Sequence, residues 1–176
     1  MRPGEIVRSR DMAARDRVDP DIVIEHPNRD KAASKATRAT VILLLLASVA
    51  LIVVVSVGGW EKIAGAKALQ VVYVLLYLAL AVQVLRWSRG TLPVIAALAI
   101  ILLIFAAVSA SGWYERDKAG FEATSLEPEL LGLLCGVLVP VQVLLIAFAM
   151  RGFQQAWNVE VEHPREPRGD ALAAHA

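Results

Sequence analysis

The chain has 176 residues, 18 Lys and Arg against 17 Asp and Glu, and a mean hydropathy of +0.55, with 57% of its residues hydrophobic. A net charge of +1 with both signs mixed excludes the basic footprint of a nucleic-acid binder. The apolar excess over the ~45–50% usual for soluble domains argues against an ordinary water-soluble fold.

The first 38 residues are polar. Arg and Asp interleave from Glu5 to Val18, which predicts a short surface helix with an apolar face too thin for firm membrane insertion. Asp21 to Glu25 is β-branched and short, and it runs into Ile24-Glu25-His26-Pro27. Residues before proline are pushed toward extended backbone, so this reads as a strand stopped by proline. Asp30 to Thr40 is Ala-rich and should lead helically into the first apolar block.

Four blocks free of Asp, Glu, Lys and Arg come next: Val41 to Trp60, Ala68 to Leu85, Leu92 to Gly112 and Leu130 to Met150. At 1.5 Å rise per residue each is long enough for a hydrocarbon core of ~30 Å. Backbone groups in lipid must be satisfied within the segment, so each block should be a helix. The first lies too far into the chain for a cleaved leader and reads as a permanent span. The expected fold is all-α: an integral membrane four-helix bundle with antiparallel spans at about 41–60, 67–87, 92–113 and 129–150. A tail of residues 1–38 precedes the membrane domain of 39–151, and a tail of 152–176 comes after it.

Basic residues set the expected orientation. Nine lie between Arg2 and Arg38, two are Arg86 and Arg89 in the turn after the second block, and three are Arg151, Arg165 and Arg168. Only Lys62, Lys67, Arg116 and Lys118 fall on the other side, so both termini should be cytoplasmic. Trp60, Trp87, Trp113 and Trp157 stand at the four helix ends, as interfacial anchors would. Pro93 suits a first helical turn. Thr124-Ser125-Leu126-Glu127 has capping-box spacing before the fourth span, and Pro140 should kink that span.

Two short patterns recur. Ser56-Val57-Gly58-Gly59-Trp60 resembles Ser109-Ala110-Ser111-Gly112-Trp113, and Val-Gln-Val-Leu occurs at 82–85 and 141–144. Either the chain is two hairpins in tandem, or small residues before tryptophan are simply a convergent way to end a span.

Polar residues in a span should face the bundle interior. Gln70, Tyr73 and Tyr77 share one face of the second span by their spacing, and Tyr77 should match the depth of Gln142 in the fourth and Ser48 in the first. A hydrogen bond between Tyr77 and Gln142 is expected, chiefly as packing glue. Gly132 and Gly136 form a GxxxG pattern that Pro140 extends, a stripe suited to close helix packing within the chain or between copies.

The four apolar blocks contain no His, no acid and no arginine ladder, and Cys135 is the only cysteine. Haem ligation by paired histidines, carboxylate-driven proton coupling, voltage sensing and CxxC redox chemistry therefore have no candidate residues there. No catalytic residue, metal or cofactor is expected. After the fourth span, Asn158 to Glu162 alternates apolar and acidic residues into a second copy, Val161-Glu162-His163-Pro164. The plainest reading is two unrelated tail segments. Pairing of the two strands is the alternative; a divalent-metal site of His26, His163, Glu25 and Glu162 is a third. Arg165 to Ala176 should be disordered.

The function expected is that of an accessory or scaffold component of a membrane complex. Its partners would be the lipid bilayer and a second copy or another membrane protein, not nucleic acid. The alternative is a small oligomeric transporter with Tyr73, Tyr77, Gln83 and Gln142 along a polar, uncharged path. Thirteen Arg against five Lys, with abundant Ala and Val, fits a multi-pass protein of a bacterial cell membrane.

Overall fold

The structure, a computed structural model, describes residues 22–63, 65–115 and 124–164. The expected surface helix before residue 19, most of the acidic loop after Glu115 and the tail from Arg165 lie outside the described residues. In chain order the elements are β1 (Ile22–Glu25), a single turn α1 (Pro27–Asp30), α2 (Ala32–Gly58), α3 (Lys67–Leu85), α4 (Thr91–Tyr114), α5 (Pro128–Gln154) and β2 (Val161–Pro164). The chain is mostly helical, and α2 to α5 are each long and apolar enough to cross a membrane.

Helix boundaries reflect local chemistry. The Ala-rich stretch from Ala32 lets α2 begin well ahead of its apolar block, and Gly59 closes it. Pro93 lies in the first turn of α4, where no intrahelical N–H bond is lost. The capping box expected at Thr124–Glu127 does not form. Glu127 is the N-cap but makes no side-chain cap bond, Pro128 is the first helical residue, and the Thr124 hydroxyl donates to the Leu126 carbonyl instead. Proline at the first helical position already has a helical φ and lacks an orphan N–H. The helix therefore starts there. α5 runs through Pro140, which cannot donate to the carbonyl of Gly136, one turn earlier.

α3 ends unusually. Ser88 N donates to Gln83 O at 3.1 Å and Trp87 N to Val84 O at 3.0 Å, the bonding of a Schellman motif. The left-handed position that such a motif usually gives to glycine is held by Trp87 at φ 61°. Ala156 takes the same place after α5, at φ 50°.

Residues 28–158 form one compact unit. Its core is drawn from one stripe of each helix at spacings of three and four. α2 buries Val41, Leu45, Ser48, Ile52 and Val55, and α5 buries Leu131, Cys135, Leu138, Gln142, Leu145 and Ala149. α4 buries Leu92, Ile95, Ala96, Ala99, Leu102, Ala106 and Trp113, and it packs along α5. α2 packs on both α3 and α5, whereas α3 and α4 barely touch. Between 28% and 33% of each apolar window is buried. The remainder is an apolar exterior on which Leu43, Leu75, Val108 and Leu133 are all more than half exposed.

The second unit contains the strands. β1 and β2 pair antiparallel, with Ile24 opposite Glu162 and Glu25 opposite Val161. The two tail segments are thus joined by one ladder, which includes His163-Pro164 and stops just before His26-Pro27. β1 supplies Ile22, Val23 and Ile24 and β2 supplies Val161, all β-branched; β2 ends on Pro164, and Pro27 comes two residues after β1.

Candidate functional site

Three polar side chains meet where three helices pack. Ser48 projects from α2, Tyr77 from α3 and Gln142 from α5, all fully buried. Tyr77 Oη donates to Gln142 Oε1 at 2.9 Å, Gln142 Nε2 donates to Ser48 Oγ at 2.8 Å, and Ser48 Oγ donates to the Leu44 carbonyl at 2.8 Å. Every hydroxyl proton is used once, so the relay runs in one direction and fixes the orientation of the Gln142 amide. Buried polar groups are costly when unpaired. These satisfy one another, so the arrangement ties the three helices together.

Tyr73 stands one turn from Tyr77, with ring centroids 5.8 Å apart in an edge-to-face pair. Gln70 is half-buried. Its Oε1 lies 2.7 Å from Ser56 Oγ, which is also 2.6 Å from the Ile52 carbonyl. One serine proton cannot serve both acceptors. With the Gln70 amide turned about, its NH2 donates to Ser56, and the serine proton goes to Ile52. The Ser56–Gln70 pair was not anticipated from sequence, though both residues lie at the α2–α3 end of their apolar blocks. Gln83 is exposed and does not join Tyr73, Tyr77 and Gln142.

Beside Tyr73 a cavity of about 460 Å³ opens between α3 and α4. Leu69, Gln70 and Tyr73 form one wall, and Leu102, Phe105 and Ala106 belong to the other. Ile52, Val55, Cys135 and Leu138 line its floor, and the loop at Lys62 and Ile63 covers one end.

The small-residue stripe of α5 divides. A methyl group on Gly132 would sit 3.2 Å from the Ala110 carbonyl and 3.1 Å from the Tyr114 ring, so Gly132 serves packing against α4 within the chain. Gly136 has nothing within 4 Å of such a methyl, and Pro140 is exposed.

The tryptophans divide too. Trp60 is exposed, with Lys67 Nζ 4.5 Å from its ring centre. Trp113 and Trp157, expected as interfacial anchors, are enclosed by protein. The ring of Trp113 lies over Gly59, where a methyl would come within 2.6 Å of it. Trp157 packs edge-to-face on Trp87 at 5.4 Å, and its Nε1 donates to Gln155 Oε1 at 3.0 Å. Glycines at 59 and 152 leave room for these indoles, and a buried indole still finds a partner for its N–H. The recurrences in sequence therefore do not occupy like surroundings: Trp60 is exposed and Trp113 buried, Gln83 exposed and Gln142 buried.

Around Trp87 and Trp157, arginines reach the ends of helices. Arg38 donates to the carbonyls of Val84 and Leu85 and lies 4.4 Å from the Trp87 ring centre. Arg89 Nε donates to the Phe153 carbonyl at 2.8 Å, with Nη1 on Asn158 Oδ1 at 3.0 Å. Arg29 Nε donates to the Trp157 carbonyl at 3.0 Å. Cations at the C-terminal ends of α3 and α5 meet the negative ends of those helix dipoles and satisfy orphan carbonyls.

In the strand unit His163 is opposite Val23, whereas His26 comes after Glu25, beyond the ladder. The register thus sets the two histidines at different points along the ribbon. His26 Nδ1 lies 4.0 Å from Glu160 Oε1. Among the described residues no group of three His, Cys, Asp or Glu could hold a metal ion. The chain matches no protein-family model, no curated protein and no solved structure.

Proposed function

We propose that this chain is a four-span protein of a bacterial cell membrane, with antiparallel spans and both termini cytoplasmic. In this reading it is a non-enzymatic accessory or scaffold component of a membrane complex. Membrane insertion is supported by the exterior: an apolar surface of this extent is untenable in water and suited to lipid. The antiparallel order is supported by Arg38, near the start of α2, bonding to the end of α3, and by Arg89, just before α4, bonding to the end of α5. The excess of Lys and Arg on that side supports its cytoplasmic location.

The observation that carries the scaffold reading is the closed Tyr77–Gln142–Ser48 relay. The polar atoms at the heart of the helices are spent on holding the helices to one another. Mild-detergent pull-down of the tagged chain from its own membranes tests this, read by native mass and peptide identification. A stoichiometric partner supports the scaffold role. A clean homo-oligomer turns attention to transport, which one observation favours: the cavity reaches Tyr73, next to the relay. Flux in proteoliposomes separates the two. For topology, Gly65→Cys and Gly90→Cys in a Cys135→Ser background give open labelling positions. An impermeant maleimide should label position 65 from outside and position 90 only after permeabilisation.

A further inference from the structure

We propose that the cleft between α3 and α4 holds one acyl chain of an anionic phospholipid drawn from the surrounding bilayer, with the headgroup at Lys62. The inference rests on the membrane reading above. Its geometric basis is the way the two helices separate. They are joined by a short turn, beside which Arg38 and Trp157 pack on Trp87. Away from that turn they part, and on α4 the small residues Ala106, Ser109 and Gly112 leave the gap unfilled. The resulting space, about 460 Å³, falls in the ~300–1,000 Å³ range of small-molecule sites.

Protein interiors are close-packed, and the walls of an unfilled apolar gap forfeit dispersion contacts. A hydrocarbon chain restores them along the apolar part of the lining. The rims are Leu69 on one side and Phe105 and Val108 on the other, all exposed and apolar. The cleft therefore opens sideways, through the surface that faces lipid in this reading, and a chain already in the bilayer enters without crossing water. The polar side chains inside are engaged or neutral: the Gln70 amide is paired with Ser56, and Ser109 is a hydroxyl.

Charge identifies the headgroup. Among the described residues Lys62 is the single charged one lining the cleft, and no carboxylate among them lines it. It stands in the loop that covers one end, where a lipid phosphate would lie while its chain runs down between the helices. A lysine ammonium is a compact point charge suited to phosphate, and basic residues beside clefts between spanning helices favour anionic lipids.

The test uses the intact chain purified in mild detergent and read by native mass spectrometry. Phosphatidylglycerol and phosphatidylcholine with identical acyl chains are supplied in equal amount. The anionic lipid should be retained about fivefold better, the discrimination expected of one basic residue near an anionic group. Lys62→Glu, a loop substitution that needs no repacking, should abolish that preference. Ala106→Leu, which fills the cleft, should lower retention of both lipids. A phosphatidylglycerol carrying a photoactivatable diazirine in its acyl chain should cross-link to peptides of α3, α4 or α5 that line the cleft.

Equal retention of both lipids, retention indifferent to Lys62→Glu and Ala106→Leu, or cross-links confined to other faces would overturn the proposal. Binding of glycerol phosphate as tight as that of the whole lipid would also overturn it, because the chain would then contribute nothing. A chain that stays with membranes after alkaline washing yet keeps no lipid refutes this inference alone. A chain released by that wash refutes the membrane reading beneath it.

Discussion

Gln142 is the hub of the buried relay, and its removal can be worked through bond by bond. Gln142→Leu deletes the bonds to Tyr77 at 2.9 Å and to Ser48 at 2.8 Å. Ser48 keeps its bond to the Leu44 carbonyl, so the cost falls mainly on Tyr77, whose hydroxyl is left buried without this acceptor. Interhelical hydrogen bonds in membrane proteins average ~0.6 kcal/mol and reach ~1.7. Two lost bonds and one orphaned hydroxyl should therefore destabilise the chain by about 1–3 kcal/mol. Tyr77→Phe removes one bond and keeps the ring, for about 0.6–1.7 kcal/mol. The double variant should fall short of the sum by about the worth of the shared bond. Reversible unfolding in mixed detergent micelles measures all four corners of the cycle. Additivity within about 0.3–0.5 kcal/mol, or a Gln142→Leu variant as stable as the parent, would refute the relay as the tie between these helices.

Single contacts set the other expected outcomes. Gly59→Ala places a methyl 2.6 Å from the Trp113 ring and should cost about 1–3 kcal/mol; Gly136→Ala meets nothing within 4 Å and should be neutral or stabilising by up to about 1 kcal/mol. Thermal unfolding in detergent compares the pair, and equal effects would contradict the packing described. Ala156→Gly relieves a left-handed backbone at φ 50° and should raise stability by up to about 1 kcal/mol, whereas a loss on the same melt would mean the strain is absent. In a Cys135→Ser background, Ile24→Cys with Glu162→Cys should form an intramolecular disulfide on oxidation, since the two are opposite in the ladder. The offset pair Ile24→Cys with Glu160→Cys should not, and cross-linking of both pairs alike, on non-reducing gels, would remove the register.

The four helices were legible in the sequence because an uncharged apolar run of spanning length has few alternatives: whatever surrounds it, its backbone must bond to itself. Helical spacing likewise put Tyr73 and Tyr77 on one face, and a simple count of residues along each block put Tyr77 and Gln142 at one depth. The recurrence of His-Pro after β-branched residues marked both strands as extended. Other features needed the folded chain, for a physical reason common to all of them: each depends on which neighbour fills the space beside a residue. A helix end can carry tryptophan at a lipid surface or beneath a neighbouring element, and only glycines 59 and 152, brought opposite Trp113 and Trp157, decide for burial. Gly132 and Gly136 are alike in the sequence, yet one lies against the Ala110 carbonyl and the other against nothing. Pairing of β1 with β2 joins segments that no local signal connects, and its register, not the repeated letters, sets the two histidines apart. The cleft beside Tyr73 exists because α3 and α4 part where α4 carries small residues, a property of two helices together and of neither sequence alone.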